Sequence, residues 1–210
     1  MSSATRGTLL MEYNWQFKTV LIGDGAVGKT SIRRNYMKEG FKTTHIPTIG
    51  VDFAKKLINF YGEIVRFVIW DLAGQHSFER VRGHYYQGAQ SIVLVYSVMD
   101  RESFDNASKW LVEAYRHLGK LPPTAILANK VDLRQSDSDE DIVTTMEGLE
   151  FVDYFKRKLA IPAIFRETSA LTGYNINETF NELIRMMMRN TEDPPPLVTR
   201  QESQTQEETE

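Results

Sequence analysis

Cysteine is missing altogether from the 210 residues. Its absence excludes a disulfide, a thiolate metal site and a thiol nucleophile, and it is compatible with a reducing cytoplasm. Long apolar runs are missing too. None approaches the ~20 residues a membrane-spanning helix needs, and Met1 to Leu10 lacks the charged-then-apolar layout of a secretory leader. Ser2 stands where N-myristoylation requires glycine. An excess of one charge is also lacking: the formal net charge is only −3, which argues against general nucleic-acid binding. What remains is an ordinary globular composition, 41% hydrophobic and 25% charged, sufficient for one domain with a buried core.

One stretch organises the rest. Gly23-Asp24-Gly25-Ala26-Val27-Gly28-Lys29-Thr30 fits G-x-x-x-x-G-K-[ST]. A β-branched apolar run, Phe17 to Ile22, precedes it, and a segment with Ile32, Tyr36 and Met37 on one helical side follows. Such glycines let a backbone wrap an anion with its N–H groups turned inward, and the helix start adds its positive dipole end. Lys29 is then positioned for β- and γ-phosphates, and the Thr30 hydroxyl for Mg²⁺. A glycine-rich turn that binds nothing is the bland alternative; the strand before and helix after weigh against it.

Residues 1–14 read as a flexible polar arm and residues 191–210 as a disordered acidic tail opened by Pro194-Pro195-Pro196, leaving 15–190 as the domain. Within it, Val51 to Ile58 and Ile64 to Trp70 form the pattern of a hairpin. Ser91 to Tyr96 and Thr124 to Ala128 are continuous apolar runs, as in strands buried on both faces. Phe104, Ala107, Leu111, Ala114, Tyr115 and Leu118 predict one long amphipathic helix, and a second runs from about Thr145 to Ala160. Ala163 to Arg166 is a short strand. Asn175 to Glu178 resembles a capping box before a last helix with Phe180, Leu183, Ile184, Met187 and Met188 inward. Phe41 to Thr48, Leu72 to Gly88 and Arg134 to Asp141 read as loops, the second with a helical turn or two. Strands alternating with helices after one hairpin predict an α/β fold, with a mostly parallel central sheet, one antiparallel edge strand, helices on both faces, and ligand at the strands' C-terminal ends.

Four further stretches narrow the chemistry. Trp70-Asp71-Leu72-Ala73-Gly74-Gln75 ends an apolar strand. Its Asp71 can hold Mg²⁺ through water, Gly74 can offer an N–H to a γ-phosphate, and Gln75 can orient an attacking water. Alone, it is equally a strand-end Asp in a glycine turn. In Asn129-Lys130-Val131-Asp132, a carboxylate can accept from guanine N1–H and the 2-amino group while adenine's N1 acceptor repels it; alone, this is a polar loop. Glu167-Thr168-Ser169-Ala170 is weaker by itself. Thr48 can lend a hydroxyl to Mg²⁺, or can simply begin a strand.

Taken together, GDGAVGKT, PTIGVDF, WDLAGQ, NKVD and ETSA, in that order, resemble the five motifs of a Ras-superfamily small GTPase, a P-loop NTPase fold. Ile49 to Phe53, Tyr85 to Ala89 and Leu94 to Tyr96 resemble the Rab branch most, over about Trp15 to Asn190. The resemblance implies GTP and GDP as substrate and product, Mg²⁺ as cofactor, and slow hydrolysis that switches effector binding through two nucleotide-sensing loops, typically in vesicle traffic. By the same resemblance, Gly25, Ala26, Val27, Gly28, Lys29, Thr30 and Ser31 hold the phosphates. Thr30 and Thr48 ligate Mg²⁺ directly, with Asp71 behind a water; Gly74 senses the γ-phosphate and Gln75 is the catalytic residue. Phe41 and the Lys130 stem sandwich the base, and Asn129, Asp132, Ser169 and Ala170 surround its edges. Gly25 stands where the family leaves space for the water and an incoming arginine.

Departures from the pattern carry information too. His45 replaces a common tyrosine, His76-Ser77-Phe78-Glu79 replaces the Glu-Arg-Phe-Arg usual in Rabs, and Leu171 follows Ser169-Ala170 where lysine is frequent. The tail has no cysteine for prenylation and no basic cluster for anionic lipid. The expectation is therefore a cytoplasmic monomer with no lipid anchor in this chain, met by an activating protein, an exchange factor and effectors. Membranes are reached only through a partner or a missing tail. A static guanine-nucleotide scaffold and an ATP-dependent enzyme on the same fold are the alternatives, the latter opposed by Asp132.

Overall fold

The computed structural model describes residues 13–40, 48, 50–74, 79–134 and 142–191. Six strands form one sheet: β1 (Trp15–Ile22), β2 (Val51–Phe60), β3 (Glu63–Leu72), β4 (Ser91–Ser97), β5 (Thr124–Asn129) and β6 (Ala163–Thr168). Their spatial order is β2-β3-β1-β4-β5-β6. Every neighbouring pair is parallel except β2 with β3. That exception is a tight hairpin, with Phe60 opposite Glu63. Its turn residues Tyr61 and Gly62 both have positive φ, 52° and 90°, the backbone that matches the twist of the flanking strands.

The helices are α1 (Lys29–Met37), α2 (Glu79–Tyr86), α3 (Arg101–Asp105), α4 (Ala107–Leu118), α5 (Thr145–Leu159) and α6 (Ile176–Arg189). The period of two along β4 sorts them into layers. Val93 and Val95 point to a core shared with Ile32 and Tyr36 of α1 and with Phe180, Leu183, Ile184, Met187 and Met188 of α6. Ile92, Leu94 and Tyr96 point to the other core, with Trp110, Leu111 and Ala114 of α4 and Val152 and Phe155 of α5. The methionines of α6 are thus packing residues, as their helical spacing implies.

Two local expectations are corrected. The helix expected through Phe104 to Leu118 is interrupted at Asn106 into α3 and α4. Tyr115, assigned to its buried stripe, is 45% exposed. The capping box expected at Asn175 does not form. Asn175 takes the left-handed conformation with no side-chain cap, and its amide instead donates to the Glu167 carbonyl at 2.8 Å. Asparagine tolerates that conformation, so the local pattern competes with a tertiary bond. A capping box is present at α5, between Thr144 and Glu147. Elsewhere the strands simply run further than their apolar cores: β3 reaches Leu72 and β6 reaches Thr168. The arm before residue 13, the tail after residue 191 and the loop at 135–141 lie outside the described residues. Among the described residues, no helix is long and apolar enough to cross a membrane.

Glu147 also joins α5 to α3, through an ion pair with Arg101. Hydrogen bonds from Arg101, and then from Thr144, hold its carboxyl down at about 2, below the usual 4.5. The folded state therefore gains from the ionised form. That gain is fully present above about pH 4.5 and is lost as pH falls from there toward 2. Glu147→Gln should lower the urea midpoint at neutral pH, and the gap from the unmodified protein should close between pH 4.5 and 2. A gap independent of pH would show that the carboxylate's charge is not what matters.

Candidate nucleotide-binding site

Parallel pairing brings the C-terminal ends of β1, β3, β5 and β6 to one edge of the sheet, and most of the described site residues sit at those ends, in the loops leaving them or at the start of α1, with Thr48 before β2. The loop after β1, carrying Gly25 to Gly28, enters α1 at Lys29. Its shape requires glycine at specific points. Gly23 has φ 132° and Gly28 has φ 106°; a Cβ on the first would collide with the Val95 carbonyl, and on the second with the Asn129 amide. Ala26, at φ 62°, is an L residue in the left-handed region, local strain of the kind that rigid surroundings must hold in place. Among the described residues, nothing lies within 4 Å of where a Gly25 Cβ would stand.

Lys29 is 6% exposed, and its ammonium donates to the carbonyls of Gly23 and Asp24 at 2.7 and 2.6 Å. Burial pulls its pKa down to about 8, against the opposing pull of Asp71 and Asp24. An anion arriving in the loop would favour the charged form. Ser31 follows Thr30 in the first turn of α1.

A cluster of oxygens lies beside this lysine. The Thr30 hydroxyl donates to Asp71 Oδ2 at 2.5 Å and is 2.9 Å from the Thr48 hydroxyl. Asp71 is fully buried, and burial raises its carboxyl pKa. Its second oxygen, Oδ1, is buried with no hydrogen-bond partner among the described residues. Two hydroxyls and a carboxylate with an orphaned oxygen are hard donors, the chemistry that suits Mg²⁺.

The base-side residues are tied together by one amide. Asn129, 1% exposed, donates to the Val27 carbonyl at 2.9 Å and accepts from the Thr168 hydroxyl and the Ala170 N–H, each at 3.2 Å. Lys130 takes φ 70° and starts a short 3₁₀ turn that leaves Asp132 exposed. The Ser169 hydroxyl accepts from Thr172 N–H at 3.1 Å, closing the loop that carries Ala170. Gly74 lies against the phosphate loop so closely that a Cβ there would strike the Asp24–Gly25 backbone. Phe41 and Gln75, like the departures His45 and His76, lie outside the described residues.

Two features escaped the sequence reading. Asn35, in α1, donates to the Ala170 carbonyl at 3.2 Å; a single polar residue in a helix gives no periodic signal. Phe53, Trp70 and Tyr85 form a chain of rings at 5.2 and 5.5 Å, with Phe53 53% exposed. These three come from β2, β3 and α2, so only the hairpin register and the docking of α2 bring them together.

Asn129→Ala should destabilise the nucleotide-free protein by about 2–4 kcal/mol, because buried partners on two other loops lose their bonds. That corresponds to a fall in Tm on the order of 10 °C. An unchanged unfolding midpoint would show that the amide does not hold these loops together.

Residues 18–189 match the Ras family. Ras-related protein Rab-1D of Dictyostelium discoideum is 36% identical over 83% of this chain and 80% of its own length. For Ras-related protein Rab-10 of Diplobatis ommata the identity is 36% over 85% and 84%. For Ras-related protein Rab11D of Lotus japonicus it is 36% over 85% and 77%. With that coverage at both ends of the comparison, the chain belongs to the Ras family, in its Rab branch, as a small GTPase that hydrolyses GTP.

Proposed function

We propose that this GTPase binds GTP and GDP with Mg²⁺ in the loop between β1 and α1 and uses the two states to switch its partners. The observation that carries the reading is the convergence of Thr30, Thr48 and Asp71 beside a buried lysine. Thr30 and Thr48 would ligate the ion, with Asp71 behind a water. Bound there, Mg²⁺ would neutralise phosphate charge. Lys29 would exchange its loop carbonyls for phosphate oxygens, and the N–H groups of Gly25 to Ser31 would cradle the anion. Asn129, Lys130, Asp132, Ser169 and Ala170 would surround the guanine, with Phe41 on its other side. Gly74 would report the γ-phosphate and Gln75 would orient the water.

The switch reading gains support from the packing of Gly74 against the phosphate loop and from the ring patch on β2, β3 and α2, where Phe53 is exposed and Trp70 and Tyr85 are partly buried. That patch is a surface suited to effector proteins. We place the chain in vesicle traffic, acting as a monomer with an exchange factor and an activating protein. The activating protein would supply an arginine worth about 10³–10⁵ in rate.

The purified protein, denatured and chromatographed, should release stoichiometric GDP. Retained GTP would favour a static guanine-nucleotide scaffold, and no nucleotide with no GTP binding would overturn the reading. Labelled GTP should resist competition by ATP. Gln75→Leu should keep GTP affinity within a few-fold and suppress turnover by about tenfold or more; unchanged turnover would remove Gln75 from that role.

A further inference from the structure

Asp24 is the second residue of the phosphate loop, and its side chain is not free to move. Trp110 Nε1–H donates to Oδ1 at 2.6 Å, and Asn106 Nδ2 donates to Oδ2 at 2.7 Å. Each carboxylate oxygen thus has a short, charge-assisted bond. The amide of Asn106 is fixed in turn, since its Oδ1 accepts from Lys109 Nζ at 2.6 Å. Asn106 is the residue at which the expected single helix breaks into α3 and α4. Trp110 is 4% exposed, with the Arg82 guanidinium 4.4 Å above its ring.

The backbone of Asp24 meets the phosphate machinery on two sides. Its carbonyl accepts from Lys29 Nζ at 2.6 Å, and its peptide link to Gly25 is the one that Gly74 abuts. Arg82 reaches the second loop, donating to the Ala73 carbonyl at 3.3 Å while Glu113 of α4 holds it through two bonds of 2.8 Å. α4 and its N-cap therefore grip both loops: the first by Trp110 and Asn106, the second by Glu113 through Arg82.

We infer that Trp110 and Asn106 are positioning residues for the nucleotide site, holding Asp24 so that the phosphate loop is already shaped before the phosphates arrive. Preorganisation of this kind slows release, because the emptied loop has no relaxed state to fall into. The inference rests on the nucleotide reading above. Neither residue is near enough in sequence to the phosphate motif to be counted with it, and both reach the site through the Asp24 side chain.

The test is the dissociation rate of a fluorescent GDP analogue in excess Mg²⁺. Trp110→Phe keeps the ring under Arg82 and removes only the N–H; Asn106→Ala removes the other donor. Each should speed release by about tenfold, the scale of one lost charge-assisted bond. Asp24→Ala removes both acceptors and should speed release at least as much, and the Trp110→Phe, Asp24→Ala double variant should be no faster than Asp24→Ala alone, since the indole bond is already gone. Release rates within twofold of the unmodified protein would overturn the inference. A lowered Tm with unchanged release would overturn it as well, reducing the contacts to scaffold. If the unmodified protein bound no guanine nucleotide, the failure would lie with the proposed function instead. Should Trp110→Phe not fold, Lys109→Met, which frees the Asn106 amide from the surface, gives the same reading with a smaller expected increase.

Discussion

The Asp24–Gly25 peptide occupies a point where three parts of the molecule meet, with no room for a methyl group on Gly74. Gly74 presses on it from the end of β3, Lys29 is held by its carbonyl, and α4 fixes it through the Asp24 side chain. Close backbone approach of this kind is available only to glycine. The same rule applies at Gly23 against the Val95 backbone, and at Gly28 a side chain would collide with the Asn129 amide. The loops converge because side chains are missing at Gly23 and Gly74, where backbones touch, and at Gly28, where the Asn129 amide packs.

Electrostatics complete what sterics begins. Lys29 and Asp71 are both buried, and burial disfavours the charged form of each. Neither is neutralised by a direct bond to the other: the lysine leans on two carbonyls and the carboxylate on one threonine. Burial without a directly bonded counter-charge is costly to each group. A hydrolysing GTPase of the Rab branch is the family in which this chain belongs, and the arrangement is consistent with that membership.

The aromatic surface has a different physical basis. The rings of Phe53, Trp70 and Tyr85 lie on the outer strands and on α2, the helix that follows Gly74. Lys18 adds its ammonium 4.7 Å above the Trp70 ring. The patch therefore joins the hairpin to the helix that follows the Gly74 loop without crossing the core.

Much of this was legible in the residue order. The glycine-lysine-threonine loop, the buried strands β4 and β5, the hairpin and the inward face of α6 follow from local spacing, because period two and period 3.6 are written directly into sequence. The Mg²⁺-type donor set was nameable because its residue types stand in recognisable motifs. Tertiary structure alone decided the rest. That α3 and α4 part at Asn106, that Asn175 bonds Glu167 rather than capping α6, and that Asn129 joins Val27 to Ala170 all depend on groups separated by 8 to 102 residues. No window of sequence contains both ends of such bonds, and the energy that selects them exists only once the sheet has brought its strand ends to one edge.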